Sequence, residues 1–165
     1  MKRVIAVSDS HGCVEMLRDV LLQALEAGPV DTVVFLGDGM RDYDALQPML
    51  SSQGVKCHAV SGNNDWGSYE AQELLLRVDS TVIYACHGHT RHVKYGLSNL
   101  WYATRERGAH IALYGHTHCA SVQLEQDLLL INPGAVCECR TGRPAYAEIS
   151  VEPNGAYDAR LVNLK

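Results

Sequence analysis

The sequence predicts an α/β fold in which a parallel sheet is joined by a second, β-rich sheet packed on it. Two observations lead there. The first sixty or so residues alternate short β-branched runs with amphipathic stretches in β-α-β-α-β order, the pattern of parallel strands with helical crossovers. The second half is dominated by short strand-like runs separated by turn signals such as Asn132-Pro133-Gly134 and Pro153-Asn154-Gly155.

The elements follow in order. Residues 2–7 are a β-branched run that ends in Ser8-Asp9-Ser10-His11-Gly12, which predicts a buried strand entering a loop. Residues 14–27 place Val14, Leu17, Val20, Leu21, Ala24 and Leu25 on one helical stripe, stopped by Gly28-Pro29. A second buried strand at 32–36 ends in Gly37-Asp38-Gly39, and a helix at 44–53 is closed by Gly54. A third strand at 55–61 ends in Gly62-Asn63-Asn64-Asp65. Strands at 74–79 and 81–86 follow, the latter running into His87-Gly88-His89. A helix at 97–107 leads to a strand at 110–114, which ends in Gly115-His116-Thr117-His118. Strands near 119–124, 128–131, 144–151 and 157–163 complete the chain. With no repeat, linker or low-complexity tract, residues 1–165 read as a single domain.

Composition narrows the function. The chain has 165 residues, 47% hydrophobic and 20% charged, enough apolar material for a real core and too much for a disordered chain. Net charge is -5 with no Lys/Arg run, which argues against a generic nucleic-acid coat. Apolar runs are too short to span a bilayer, and residues 1–7 reach Ser8-Asp9 too soon for a signal peptide, so a soluble cytoplasmic protein is expected. The six cysteines contain no C-x2-C pair and read as reduced, mostly buried thiols, with Cys137-Glu138-Cys139 as strand filler.

The informative pattern is positional. Five strands each end in a loop carrying Asp, Asn or His beside Gly, and in α/β folds ligands bind outside the carboxyl ends of strands. Asp9, His11, Asp38, Asn63, His87, His116 and His118 are the candidate metal ligands, all imidazole, carboxylate or carboxamide. One ion rarely needs seven ligands, whereas two ions sharing a bridging carboxylate use them all, and paired metals clamp both oxygens of an in-line phosphoryl displacement. The i, i+2 spacing of Asp9/His11 and His116/His118 suits an extended backbone, where both side chains share one face. Two divalent ions outweigh two carboxylates and one hydroxide, so the cleft attracts phosphate although the whole chain is acidic. The N/O donor set, without thiolate, suits manganese, iron, zinc, cobalt or nickel.

Taken in order, Asp9-x-His11, Gly37-Asp38, Gly62-Asn63-Asn64-Asp65, His87-Gly88-His89 and Gly115-His116-Thr117-His118 resemble the signature of the calcineurin-like metallophosphoesterases. The opening motif, the small size and Asn132-Pro133-Gly134 are similar to the small bacterial and archaeal phosphodiesterase branch. The resemblance implies a four-layer α-β-β-α sandwich of two packed mixed sheets flanked by helices. It implies that Asp9, His11, Asp38 and His118 hold a first metal, and Asp38, Asn63, His87 and His116 a second, with Asp38 bridging. It further implies a metal-bridging hydroxide that attacks phosphorus in line, manganese as the first expectation for both ions, and a homodimer or tetramer. Many relatives carry His where this chain has Asn64, and that His is assigned to protonating the leaving group. Asn cannot act as a general acid at neutral pH, so activated or modest leaving groups are favoured. His89 is then the nearest candidate for phosphate contact or proton donation, and Asp65 for orienting a ligand His.

The expected function is hydrolysis of a small phosphodiester. Phosphomonoester hydrolysis, on a nucleotide, sugar or protein phosphate, is the alternative within that chemistry. A non-catalytic metal-binding scaffold of the same fold is the alternative outside it. Arg41 and Arg91 are open between substrate phosphate and a solvated loop. Trp66 is open between stacking on an organic leaving group or nucleobase and packing on a neighbouring loop. His58, His92 and His110 read as structural or solvated.

Overall fold

β1 (Lys2–Val7) lies inside a sheet because both of its faces are apolar. Val4 and Ala6 enter one core and Ile5 and Val7 another, as a strand covered on both sides requires. The computed structural model describes residues 1–137 and 142–165. After β1 come α1 (Val14–Glu26), β2 (Thr32–Phe35), α2 (Met40–Ser52), β3 (Lys56–Ala59), β4 (Glu73–Val78) and β5 (Thr81–Cys86). Two single-turn 3-10 segments, His89–Arg91 and Val93–Tyr95, precede α3 (Ser98–Glu106) and β6 (Ile111–Leu113). The remaining strands are β7 (Ser121–Glu125), β8 (Leu128–Asn132), β9 (Ala145–Val151) and β10 (Tyr157–Asn163).

Among the described residues the strands form two sheets. The first runs β10-β9-β1-β2-β3, with β1, β2 and β3 parallel and β9 antiparallel to both of its neighbours. The second runs β4-β5-β6-β8-β7, with β5, β6 and β8 parallel and the two edge strands antiparallel. Val4, Ala6, Val34 and Leu36 of the first sheet share a core with Ile83, Ala85, Ile111, Leu113 and Ile131 of the second. Leu17 and Leu21 of α1 and Leu46 and Leu50 of α2 cover the outer face of the first sheet on Ile5, Val33 and Phe35. Leu100 and Ala103 of α3 cover the second sheet on Tyr84, Ala112 and Leu130. The order of layers is therefore α-β-β-α, as expected. No helix among the described residues is long and apolar enough to cross a membrane.

Two expectations are corrected. Helix α2 begins at Met40 rather than at Asp44, because a carboxylate from a distant loop, Asp65, accepts hydrogen bonds from the Gly39 and Met40 amides at its start. The reading of all six cysteines as reduced fails at Cys13 and Cys137, which form a disulfide across 124 residues. The Val136 and Cys137 N–H groups donate to Ser8 O and Asp9 O at 3.0 and 3.1 Å, which lays this segment beside the loop that ends at Cys13. Cys57, Cys86 and Cys119 are free thiols. The strand-filler reading of Cys137-Glu138-Cys139 falls at 138–139, outside the described residues.

One buried and one half-buried ion-pair network fasten the layers. The Arg3 guanidinium donates to Glu148 Oε2 through Nε at 2.8 Å, and through Nη1 to Ala24 O and Gly28 O at the carboxyl end of α1. There it also meets the negative end of the helix dipole. On the second sheet Glu73 accepts from Tyr84 Oη at 2.6 Å and from Arg91 and Arg107, each at 2.8 Å. Arg91 is thereby committed to Glu73 and the Tyr84 hydroxyl, not to a substrate phosphate. Burial pushes the Glu73 carboxyl up, but the Tyr84, Arg91 and Arg107 hydrogen bonds outweigh it and hold the group at about 2. A carboxylate so depressed contributes its full stabilisation above its unfolded value of 4.5 and loses it as the pH falls toward 2. Thermal denaturation of wild type and Glu73→Gln should show a gap in Tm above pH 5 that closes as the pH approaches 2. A gap independent of pH would refute this role for Glu73.

Candidate metal centre

The carboxyl ends of β1, β2, β3, β5 and β6 converge, and the predicted ligand loops converge with them. Two groups of three result, Asp9 with His11 and His118, and Asp38 with His87 and His116, each with ligand atoms within 4.8 Å of one another. Each group takes side chains from both sheets. Asp38 Oδ2 lies between the groups, 3.3 Å from His87 Nε2 and 4.0 Å from His11 Nε2.

The backbone that achieves this is not the extended one expected. Asp9, His11, Asp38, His116 and His118 have φ of 58°, 43°, 60°, 70° and 59°. These left-handed values are uncommon for residues with a Cβ and cluster at functional sites. The i, i+2 pairs share a side because both members take left-handed turns after their strands end, which corrects the extended-strand reading.

Charge is concentrated and dry here. Asp9, Asp38 and His87 are buried. Asp9 Oδ2 accepts from Ser8 Oγ at 2.6 Å and from the His116 N–H at 3.1 Å. Asp9 Oδ1 is buried without a well-formed hydrogen bond, although His118 Nε2 and His11 Nε2 stand 3.3 and 3.4 Å away. Burial would raise the Asp9 carboxyl, but His11, His118, His87 and Ser8 together hold it far below the usual range. The Asp38 carboxyl is likewise raised by burial and lowered further by His87 and by the backbone and side-chain amides of Asn64.

The imidazoles are oriented for ligation. His87 Nδ1 meets Leu36 O at 2.7 Å, which turns Nε2 toward Asp38 as the nitrogen that would ligate; burial pulls this imidazole down, but Asp38 and Asp9 outweigh it and raise it. His116 Nδ1 lies 3.2 Å from that nitrogen, and His11 Nε2 lies 3.0 Å from His118 Nε2. Two nitrogens on one divalent ion stand roughly 3.0–3.4 Å apart for bonds of about 2.1 Å. Burial first, then the charges of His87 and Lys94, push His116 down to about 4, so it is neutral at pH 7. The under-bonded Asp9 Oδ1, the neutral His116 and the nitrogen spacings all fit cations.

The supports were less visible in the sequence. Asp65 does not orient a histidine, which corrects that expectation. Its carboxylate accepts four backbone N–H bonds, from Asp38 and Gly62 at Oδ2 (2.8 and 2.7 Å) and from Gly39 and Met40 at Oδ1 (2.9 and 3.0 Å). It locks the loops after β2 and β3 together and caps α2. Asp42, which the sequence reading passed over, does the same for the first loop, accepting from Ser10 Oγ at 2.6 Å and Gly12 N–H at 2.9 Å. Its signal was an acid in the first turn after Gly37-Asp38-Gly39. Buried Asn132, at the end of β8, donates to Gly115 O and Thr117 Oγ1 and holds the His116–His118 loop. Gly62 and Gly115 are required by approach, since a Cβ at Gly62 would overlap the Asp38 carboxylate and one at Gly115 the Ser8 hydroxyl and Asp9 carboxylate. Asn63 is exposed in the loop after β3, beside Asn64, whose side chain donates to Asp38 Oδ2 at 2.9 Å. His89 is half-buried with ring centroids 5.5 Å from His87 and 6.1 Å from His116, its Nδ1 buried and without a hydrogen-bond partner. His110 is structural, accepting at Nδ1 from the Val82 N–H.

Layered sheets with a carboxylate–imidazole centre at their shared strand ends define a metallophosphoesterase fold. The model of the calcineurin-like phosphoesterase superfamily domain matches residues 1–154, and the chain belongs to that superfamily. It is 32% identical over 154 residues to the probable metallophosphoesterase YsnB of Bacillus subtilis (strain 168), covering 93% of this chain and 86% of that one. It is 24% identical over 162 residues to the phosphodiesterase MJ0936 of Methanocaldococcus jannaschii, covering 88% and 91%. A solved structure from Streptococcus pneumoniae TIGR4, described as a predicted phosphoesterase, matches with a TM-score of 0.81 at 27% identity, over 98% of this chain and 89% of that one.

If Asp65 holds the Asp38 loop through backbone amides, Asp65→Ala should weaken binding of manganese by about 10- to 100-fold in calorimetric titration, although Asp65 touches no ion. Unchanged affinity would mean that the loop keeps its shape without the clasp.

Proposed function

We propose that the chain is a dinuclear metal-dependent phosphoesterase that hydrolyses phosphodiesters. The observation that carries the reading is Asp38 Oδ2, lying between two ligand groups that each contain one buried carboxylate. Asp9, His11 and His118 with Asp38 would hold one ion, and Asp38, His87 and His116 with Asn63 the other. When bound, the ions supply neutralisation of the ester phosphate and a water acidic enough to attack at neutral pH. Manganese is the first choice for this N/O set, and zinc, iron, nickel or cobalt are alternatives.

The chain's own groups do the rest. The Leu36 carbonyl keeps His87 in the Nδ1–H tautomer, with Nε2 turned to Asp38. Asn64 holds both Asp38 oxygens by backbone and side-chain N–H, so the shared carboxylate cannot swing. His89, half-buried beside His87 and His116, is the side chain suited to meet a phosphate oxygen. The Asn64 amide is far too weak an acid to protonate a departing alkoxide, so phenolate-like leaving groups are cleaved much faster than alkyl ones. The substrate is a small soluble ester, in keeping with the acidic chain.

Chelator-stripped protein should hydrolyse bis-p-nitrophenyl phosphate only after manganese is restored, and p-nitrophenyl phosphate more slowly. Asp38→Asn should lower kcat at least about a hundredfold. Turnover that survives chelation, or equal turnover by Asp38→Asn, would overturn the assignment.

A further inference from the structure

Beside the ligand groups a cleft of about 840 Å³ runs along the loop after β3 and the start of α2, with His11 and Asp38 at its inner end. Its volume lies in the ordinary range for a small-molecule site. Two aromatic side chains of that loop line it from solvent, Trp66 at 89% exposure and Tyr69 fully exposed. Trp is normally one of the most covered residues, so an exposed indole beside a reaction centre offers a free face for stacking. The loop that carries Trp66 is held rigidly, because the preceding residue is Asp65 with its four amide bonds.

The charge of the cleft selects among aromatic ligands. Apart from the ligand Asp38, it presents the carboxylates of Asp42, Asp44, Asp65 and Glu70 against the single guanidinium of Arg41. Asp42 and Asp65 are spent on Ser10 and backbone amides, whereas Asp44 and Glu70 are exposed at the rim. A second phosphate would be repelled there. Exposed carboxylates instead accept from ring and exocyclic N–H groups, which a nucleobase provides.

We propose that this cleft is the subsite for a nucleoside arm of the diester, its base stacked on Trp66, with Tyr69 beside it and no phosphate beyond the scissile one. The inference rests on the phosphodiester reading above and names its substrate class. Base–aromatic stacking is worth enough for about a tenfold preference per base.

Two measurements decide it. The first compares thymidine 5′-(p-nitrophenyl phosphate) with ethyl p-nitrophenyl phosphate, which share leaving group and phosphorus. The manganese-loaded protein should favour the nucleoside ester by about tenfold, expressed in KM. Trp66→Ala should abolish that preference while leaving the ethyl ester within about twofold, and Trp66→Phe should restore most of it. Equal KM values for the two esters, or parallel loss on both in Trp66→Ala, would overturn the subsite but leave the diesterase reading intact.

The second measurement needs no turnover. In a Trp101→Phe background, where Trp66 is the sole indole, adenosine 5′-monophosphate should quench tryptophan fluorescence saturably at concentrations about tenfold below those of ribose 5-phosphate. Equal affinity for the two, or tighter binding of phosphocholine, would overturn the proposal even if no ester is hydrolysed. Absence of manganese-dependent turnover on every ester would overturn the diesterase reading by itself.

Discussion

Two carboxylates buried among imidazoles govern how this end of the molecule is built. Asp9 and Asp38 are withdrawn from water, a costly state for a charge unless it is paired. The pairing is incomplete by hydrogen bonds alone, since Asp9 Oδ1 is approached by two ring nitrogens and well bonded by neither. The strained left-handed residues, the glycines pressed against the carboxylates and the backbone clasps all follow from bringing these groups within a few ångströms of each other. A structure that needed only stability would have filled the same space with aliphatic side chains.

The supports form a layer of their own. Asp65 and Asp42 bond mostly to backbone amides, so they fix the loops and not the ligand side chains directly. His87 is fixed by the Leu36 carbonyl, and the His116–His118 loop by Asn132. Every ligand loop is thus tied to a neighbour, the loops after β2 and β3 to each other through Asp65, and the centre is over-determined. That is the condition under which five residues can be kept in a sparsely populated backbone region.

Much of this was legible in the sequence because the ligands are punctuated. Glycines beside Asp, Asn and His at the ends of β-branched runs mark loops after strands, and the strand ends define one edge of each sheet. The layers were legible too, since Val4 to Val7 and Val33 to Leu36 are apolar on both faces. What escaped depends on contacts distant in sequence. The start of α2 is set by Asp65, far along the chain from Met40, and no local propensity carries that information. The partner of Cys13 is 124 residues away. Left-handed conformations at His11 and His118 are opposed by intrinsic preference, and tertiary contacts impose them.

Each ligand group draws on both sheets, Asp9 and His11 from one with His118 from the other, and Asp38 from one with His87 and His116 from the other. The two groups therefore lie like pins across a seam. A slip of one sheet past the other by a single residue, about 3.3 Å along a strand, would pull Asp9 away from His118 and Asp38 away from His87 and His116. The centre is in this sense a gauge of registry. Burial of the apolar side chains between the sheets is non-directional, and the polar cluster at the strand ends adds a directional demand on where the sheets meet.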